Sequence, residues 1–478
     1  MYIILCIIGV LTGGVFYMNN FENILSDINK KIHMIGIGGV SMSGIADILL
    51  NMGFSVSGSD MVRSAVTDRL EKQGINITIG HFAENVHGSD IVVYTAAVKS
   101  DNPEIVEAKN LNLTLVERSD FLGAITHLYS ETIAISGTHG KTTTTSMLSS
   151  VFIEAQKDPS IQVGADLRIL NDLNYRIGKS DIFIVEACEY VRSFLKFFPK
   201  TAIVLNIEED HLDCYKDLND IKNAFNQFLN IPNDDGLLIL NADDSDCMDI
   251  ADNHKAKLVT FGIDNKNATW HAENIGICED GTYKFDAVSE TETIENVKLG
   301  VIGYHNIYNA LSVIACSKEY AINNEDIKNG IVNFKGASRR FELVGQVNGA
   351  NIYDDYAHHP TEIKATIKSA KNIKAKKIWA IFQPHTYTRT YTLFDEFVTA
   401  FEGADTIIIT DIYAAREIDT GIVSAKQLAD KINEISGNCI YISKLEDVAS
   451  YLKENVSEGE IVLTIGAGTV TKIGRELL

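Results

Sequence analysis

The run Thr132-Ile-Ala-Ile-Ser136-Gly137-Thr138-His139-Gly140-Lys141-Thr142 decides how the fold is read. A short apolar strand breaks at Gly137, and a threonine-rich helical segment takes over at Thr142. Glycines at a strand end let backbone amides turn toward an anion, and a helix N-terminus adds partial positive charge. Lysine followed by a hydroxyl residue is the core of a phosphate loop: the lysine meets the β- and γ-phosphates and the hydroxyl can ligate Mg2+. The common spacing G-x-x-x-x-G-K-[ST] is not met, because Ile135 stands where its first glycine would be. A nucleoside triphosphate site is therefore expected on a shortened loop, with a purely structural turn as the alternative.

Outward from this loop, short apolar runs alternate with longer segments of helical period, the pattern of α/β units on mostly parallel sheets. Three blocks separate. The first has strands over 31–37, 54–58 and 91–95, a helix from about Ser43, and closes around 118–122. The second has strands over 132–136, 182–186, 202–207 and 237–240. An antiparallel excursion over about 259–297 and a helix over 306–317 complete it. The third has strands over 352–353, 378–382, 406–410, 439–442 and 461–465.

Each block carries chemistry at strand ends, where α/β ligand clefts form. In the first, Gly36-Ile-Gly38-Gly39-Val-Ser41 suits a pyrophosphate, and Asp60 is placed to accept a ribose hydroxyl. Ser41 occupies the third glycine position of the dinucleotide fingerprint, so a nucleotide diphosphate, a dinucleotide and a tight structural turn stay open. In the second, Glu186 follows a strand as a metal carboxylate should, and His211 reads as a second metal ligand or a cap. In the third, two Asp, two Tyr and two His crowd into Tyr353–Pro360, a density of acid–base groups unusual for a turn. The run Gln383-Pro-His385-Thr386-Tyr-Thr-Arg389 offers Arg389 as a carboxylate clamp.

Seven runs, GIGGVSMSGIA from Gly36, GTHGKTTTT from Gly137, NIEEDH from Asn206, GYHNIYNAL from Gly303, RRFELVG from Arg339, DDYAHHP from Asp354 and FQPHTYTRT from Phe382, together resemble the Mur ligase family in content and order. The resemblance implies three domains: a Rossmann-like UDP-substrate domain over 19–122, a central P-loop ATPase-like domain with a mostly parallel sheet over 123–337, and a Rossmann-like C-terminal domain over 338–478 that binds the amino acid and closes on ATP. It implies ATP-dependent joining of L-alanine to UDP-N-acetylmuramate through an acyl phosphate and a tetrahedral intermediate, as a step of peptidoglycan precursor synthesis in the cytoplasm. Gly137, Thr138, His139, Gly140, Lys141, Thr142 and Thr143 would hold the ATP phosphates. His305, Asn306 and Asn309 would lie on the adenine and ribose side, and Arg340 would contact phosphate. Thr142, Glu186 and His211 would bind Mg2+. Gly38, Gly39, Asp60, Thr95 and Ala96 would grip the UDP moiety. His358, Asp355, Tyr356, His385 and Arg389 would handle the amino acid and its amine proton.

Departures from the family pattern fall around the metal glutamate and in the third block. Cys188 and Val191 stand at two commonly acidic positions, and Thr386 at a common arginine, so glycine or serine is left open beside L-alanine. A related ligase that attaches a tripeptide would share every phosphate and metal residue. Phe225 stands where other branches carry a carbamylated lysine, and Lys222, one turn earlier, is expected to face solvent.

Bulk properties bound these readings. A chain of 478 residues needs several domains. A formal charge of −22 argues against a nucleic-acid partner and requires the cations that meet anionic substrates to be concentrated locally. Scattered cysteines without a C-x-x-C fit a reducing compartment. The apolar run from Ile3 to Tyr17 is shorter than the roughly 20 residues that span a bilayer. It reads as an over-extended start, 1–18, with Met18 the working beginning, or as a weak anchor. No stable membrane insertion, and a monomer or homodimer, are expected.

Overall fold

The structure, a computed structural model, describes residues 25, 27–95, 97–211, 214–415 and 417–478. The expectation for 1–18 lies outside them, as does Ala96. Among the described residues no helix is long and apolar enough to cross a membrane. The chain divides into two compact units, one running through Thr145 with Gln156–Leu240 and Asp246–Leu258, the other Ser146–Ala155, Asn241–Ser245 and Val259–Leu478.

The first unit opens with a parallel sheet of β1 (Lys31–Ile35), β2 (Ser55–Asp60), β3 (Asn76–Ile79), β4 (Ile91–Tyr94) and β5 (Thr114–Glu117), ordered β3-β2-β1-β4-β5. The order reverses beside β1, so the turn at Gly36–Gly39 sits at a switch point, where such sheets bind ligands. A second group follows: β6 (Glu131–Ser136), β7 (Ser160–Leu167), β8 (Leu173–Arg176), β9 (Ile182–Glu186), β10 (Thr201–Val204) and β11 (Leu237–Asn241), ordered β11-β10-β6-β9-β7-β8. Here β6 lies between β10 and β9 in parallel register, Ile135 beside both Ile203 and Glu186. Both neighbours of the loop strand therefore deliver their C-terminal ends to the loop. Strands buried on both faces are continuous apolar runs, which is why 182–186 was legible and matches β9 residue for residue.

The second unit carries β12 (Lys257–Gly262), β13 (Trp270–Ile277), β14 (Thr282–Val288) and β15 (Thr293–Ile302), with β13–β14 and β14–β15 antiparallel and β12–β13 parallel. It continues with β16 (Glu342–Val347), β17 (Ala350–Asp355), β18 (Ile378–Phe382), β19 (Thr406–Ile409), β20 (Cys439–Tyr441) and β21 (Ile461–Ile465), ordered β16-β17-β21-β18-β19-β20. All pairs in this sheet are parallel except β16–β17. The helix Pro360–Lys371 begins with a capping box between His359 and Glu362, which fixes the chain just after the histidine-rich run.

One expectation is corrected. Lys222 does not face solvent: its Nζ lies 2.9 Å from Asp246 and 2.6 Å from Asp249. Phe225 on the same helix is fully buried, edge-on to Phe194 at 5.1 Å.

Candidate active site

The phosphate loop takes its shape from two glycines in the left-handed region, Gly137 with φ 138° and Gly140 with φ 84°. A Cβ at Gly137 would sit 3.1 Å from Leu205 and its amide, so strain and crowding both exclude a side chain. The loop is moored to the segment after β10. Asn206 accepts from the His139 amide at 2.7 Å and donates to the His139 carbonyl at 3.1 Å. The Glu208 amide donates to Thr138 Oγ1 at 2.8 Å, and His139 Nε2 lies 3.3 Å from the Glu208 carboxylate. Reading the sequence did not single out Asn206 as a site residue. A primary amide immediately after a neighbouring strand was the available signal, since it can both donate and accept.

Lys141 begins the helix Lys141–Glu154 and folds back over the loop. Its ammonium donates to the Gly137 and Thr138 carbonyls at 2.6 and 2.9 Å and to Glu189 at 3.0 Å. Burial pulls the ammonium pKa down, but Glu189, Cys188 and Glu186 outweigh it and hold the group above the usual lysine value. Thr142 Oγ1 donates to Glu186 at 3.0 Å, and the other oxygen of Glu186 takes the Gly164 amide at 2.8 Å. A hydroxyl and a carboxylate so paired, beside a lysine, are the hard oxygen donors Mg2+ prefers when phosphate supplies the remaining ligands. His211 has a left-handed backbone, φ 55°, and its Nε2 lies 3.6 Å from Glu189. Thr143 is half-buried in the first turn of the helix.

In the first block, the Gly38 amide donates to Asp60 Oδ2 at 2.9 Å. A Cβ at Gly38 would approach the same oxygen to 2.9 Å, so this glycine allows the carboxylate to close over the turn. Gly36 has φ 79°, and Gly39 precedes the helix Val40–Asn51, which starts three residues before the expected Ser43. Thr95 Oγ1 accepts the Ala97 amide at 3.2 Å.

In the second unit, the helix His305–Glu319 exposes His305 but buries Asn306 and Asn309. Asn309 donates to Asn306 at 2.9 Å, and Asn306 donates to the Ile302 carbonyl at 2.8 Å, so both asparagines brace the start of the helix. Asp243, a residue the sequence did not flag, accepts the amides of Ile263, Asp264 and Asn265 at 2.6–2.9 Å and the Tyr308 hydroxyl at 3.1 Å.

Farther along, Arg339 donates to Asp354 at 2.9 Å and to the Gly466 carbonyl at 2.6 Å. The Arg339 and Arg340 guanidiniums lie 4.9 and 5.2 Å from the centre of the Tyr356 ring. Asp355 accepts the Phe341 and Ala357 amides at 3.1 and 2.8 Å; burial pushes its carboxyl up to about 6 despite Arg340. His358 Nδ1 donates to the Tyr356 carbonyl at 3.0 Å, which puts the lone pair of the neutral ring on Nε2. Arg389 Nη1 donates to His385 Nδ1 at 3.2 Å.

Models of known families match the chain in three consecutive segments: "Mur ligase family, catalytic domain" over 31–130, "Mur ligase middle domain" over 135–317 and "Mur ligase, glutamate ligase domain" over 339–468. The chain belongs to the Mur ligase family. Within that family, a UDP-N-acetylmuramate–L-alanine ligase of Acetivibrio thermocellus is 49% identical, over 94% of this chain and 96% of the relative. A solved UDP-N-acetylmuramate-alanine ligase of Thermotoga maritima superimposes with a TM-score of 0.80 at 29% identity, over 94% of this chain and 98% of that one. A murein peptide ligase of Psychrobacter arcticus gives 0.70 at 25% identity, over 94% and 98%. A Mur ligase couples ATP to the joining of a carboxyl and an amine.

Proposed function

We infer that this Mur ligase adds L-alanine to UDP-N-acetylmuramate at the expense of ATP, producing a peptidoglycan precursor in the cytoplasm. One observation carries the reading: identity of 49% to an L-alanine ligase runs through 94% of the chain, across both units. The Psychrobacter likeness keeps a second reading open, in which the amine comes from a peptide.

The reaction transfers the γ-phosphoryl group of ATP to the substrate carboxylate, releasing ADP. The amine then attacks the acyl phosphate carbon, and the tetrahedral intermediate expels phosphate to leave an amide. Gly137–Thr142 is assigned to the β- and γ-phosphates. Lys141, held cationic by Glu189, neutralises charge on the transferring group, the main task in phosphoryl transfer. Mg2+ fits the Thr142–Glu186 pair, with His211 as a further donor, and would supply charge neutralisation on the phosphates. Gly38, Gly39, Asp60 and Thr95 are assigned to the UDP moiety, His305 and Arg340 to ATP. Asn306 and Asn309 are assigned to the same ATP region, as braces under His305.

Arg389, steadied by His385, is assigned to the amino-acid carboxylate. Asp355 fixes the turn that carries Tyr356 and His358, and His358 Nε2 is assigned to the ammonium proton that leaves before attack. The experiment is ATP-dependent transfer of labelled L-alanine into a UDP-linked product. The native chain is expected to form it and Lys141→Ala to lose it. A native chain that hydrolyses ATP without incorporating label would refute the reading.

A further inference from the structure

Beside Arg389 the second unit builds a wall of rings. Tyr356 and His358 meet edge to face at 5.4 Å, His358 and His385 at 6.0 Å, and His385 stacks on Tyr413 at 5.7 Å with an interplanar angle of 27°. Arg389 donates to the same His385 on which Tyr413 stacks, so one histidine links the guanidinium and the Tyr413 ring.

Tyr413 belongs to none of the runs that carry the family likeness, yet its placement is tightly determined. Its amide donates to the Pro384 carbonyl at 2.8 Å, and its carbonyl accepts the Thr386 amide at 2.9 Å. Two residues earlier, Asp411 takes the Tyr441 and Ser443 hydroxyls at 2.5 and 2.6 Å, anchoring the segment as it leaves β19. Downstream, Glu417 accepts the Thr388 amide at 2.9 Å, tying the loop back to the helix that carries Arg389. A Cβ on Gly468 would come within 2.8 Å of the Tyr413 Cβ and Cγ, so that glycine makes the room in which the tyrosine stands. Even so, Tyr413 keeps 36% of its surface exposed. A ring held this rigidly and still open on one side is a preformed surface for a small ligand group, not core packing.

We propose that Tyr413 determines amino-acid size in this ligase, its ring walling the space beside the Arg389 carboxylate clamp so that a methyl side chain fits and a branched one does not. The inference rests on the assignment of Arg389 to the amino-acid carboxylate. The wall acts on the side chain alone and includes none of the residues assigned to ATP. Discrimination by an apolar wall is modest in size: about 10- to 200-fold per methylene.

The test compares kcat/KM for L-valine and for L-alanine, with ATP, Mg2+ and UDP-N-acetylmuramate saturating, in the native chain, Tyr413→Phe, Tyr413→Ala and Tyr413→Val. Tyr413→Phe keeps the ring and should keep the native ratio within about threefold. Tyr413→Ala should raise the valine-to-alanine ratio about tenfold or more. Tyr413→Val retains an apolar group against Gly468 and should move the ratio in the same direction if Tyr413→Ala proves insoluble. The KM for ATP should not change, which separates selectivity from general damage. A ratio unchanged in the truncated variants, with L-alanine turnover intact, overturns the proposal. A native chain that uses no free amino acid overturns it together with the functional reading beneath it.

Discussion

The Nζ of Lys141 lies 3.0 and 2.9 Å from the two carboxylate oxygens of Glu189, so the phosphate loop carries its cation already paired. Both side chains are largely buried, 14% and 4% exposed. Removing one member of such a pair leaves the other charge without compensation, at about 3 kcal/mol, the lower end of the usual range because two carbonyls still hold Lys141. Glu189→Gln should lose that much in urea denaturation. The double variant Lys141→Met/Glu189→Gln should lose less than the sum of the single changes. Additive losses would mean the pair does not act as a unit.

Glu104 is fully buried in the first sheet's flank, bonded to Ser59 at 2.8 Å and His81 at 3.0 Å, with Asn85 closer still and His33 Nε2 at 3.6 Å. Burial pushes its carboxyl up, but His33, Asn85 and Ser59 outweigh it and hold the pKa below the usual glutamate value. A depressed pKa stabilises the fold in full above the unfolded value of about 4.3 and loses that contribution as pH falls through the folded value. Glu104→Gln should therefore cost about 2–4 kcal/mol at pH 7 and progressively less below pH 4. Denaturation midpoints at pH 7 and 3.5 check this, and an equal loss at both would contradict it.

Much of the scaffold was legible because buried parallel strands are unbroken apolar runs. The expected strands over 182–186, 378–382 and 461–465 coincide with β9, β18 and β21. The hairpin of β7 and β8 carried no such signal, since Gly164, Asp166 and Asn174 interrupt it, yet it brings the Gly164 amide to Glu186. Lys222 looked solvent-facing because its partners, Asp246 and Asp249, lie 24 and 27 residues away. Asn206 and Asp243 are hard to read from sequence for a similar reason: each serves backbone groups of a distant loop, a role that spacing along the chain does not encode.

Asp355 has the opposite sign to Glu104. Burial raises its carboxyl to about 6. The folded chain thus keeps a proton that the unfolded chain releases near 3.9. This contribution is full below the unfolded value and disappears as pH rises through about 6, a change of about 2–3 kcal/mol. Asparagine cannot titrate. The native chain should therefore lose stability relative to Asp355→Asn between pH 4 and 7.5. A pH-independent difference would contradict the buried-carboxyl account.

Thr386 occupies a backbone conformation, φ 66° and ψ 147°, that β-branched residues avoid, while its hydroxyl caps the helix Tyr387–Thr392 through the Arg389 amide at 3.4 Å. Strain of this kind costs about 1–3 kcal/mol, and a cap contributes about 1 kcal/mol. Thr386→Ala loses the cap and keeps the strain, whereas Thr386→Gly loses the cap and relieves the strain. Thermal denaturation should find the glycine variant more stable than the alanine variant by about 1 kcal/mol or more. Equal stabilities would show that the turn is not strained.

On the proposed function, ATP held at Lys141 is used to join one free amino acid to a UDP-linked carboxylate. The most direct test offers the native chain ATP, Mg2+ and UDP-N-acetylmuramate with either L-alanine or the tripeptide L-alanyl-γ-D-glutamyl-meso-diaminopimelate, and measures the UDP-linked amide by mass. The expected products are the L-alanine adduct, with one phosphate released per amide, and little or no tripeptide adduct. Product from the tripeptide alone would contradict it.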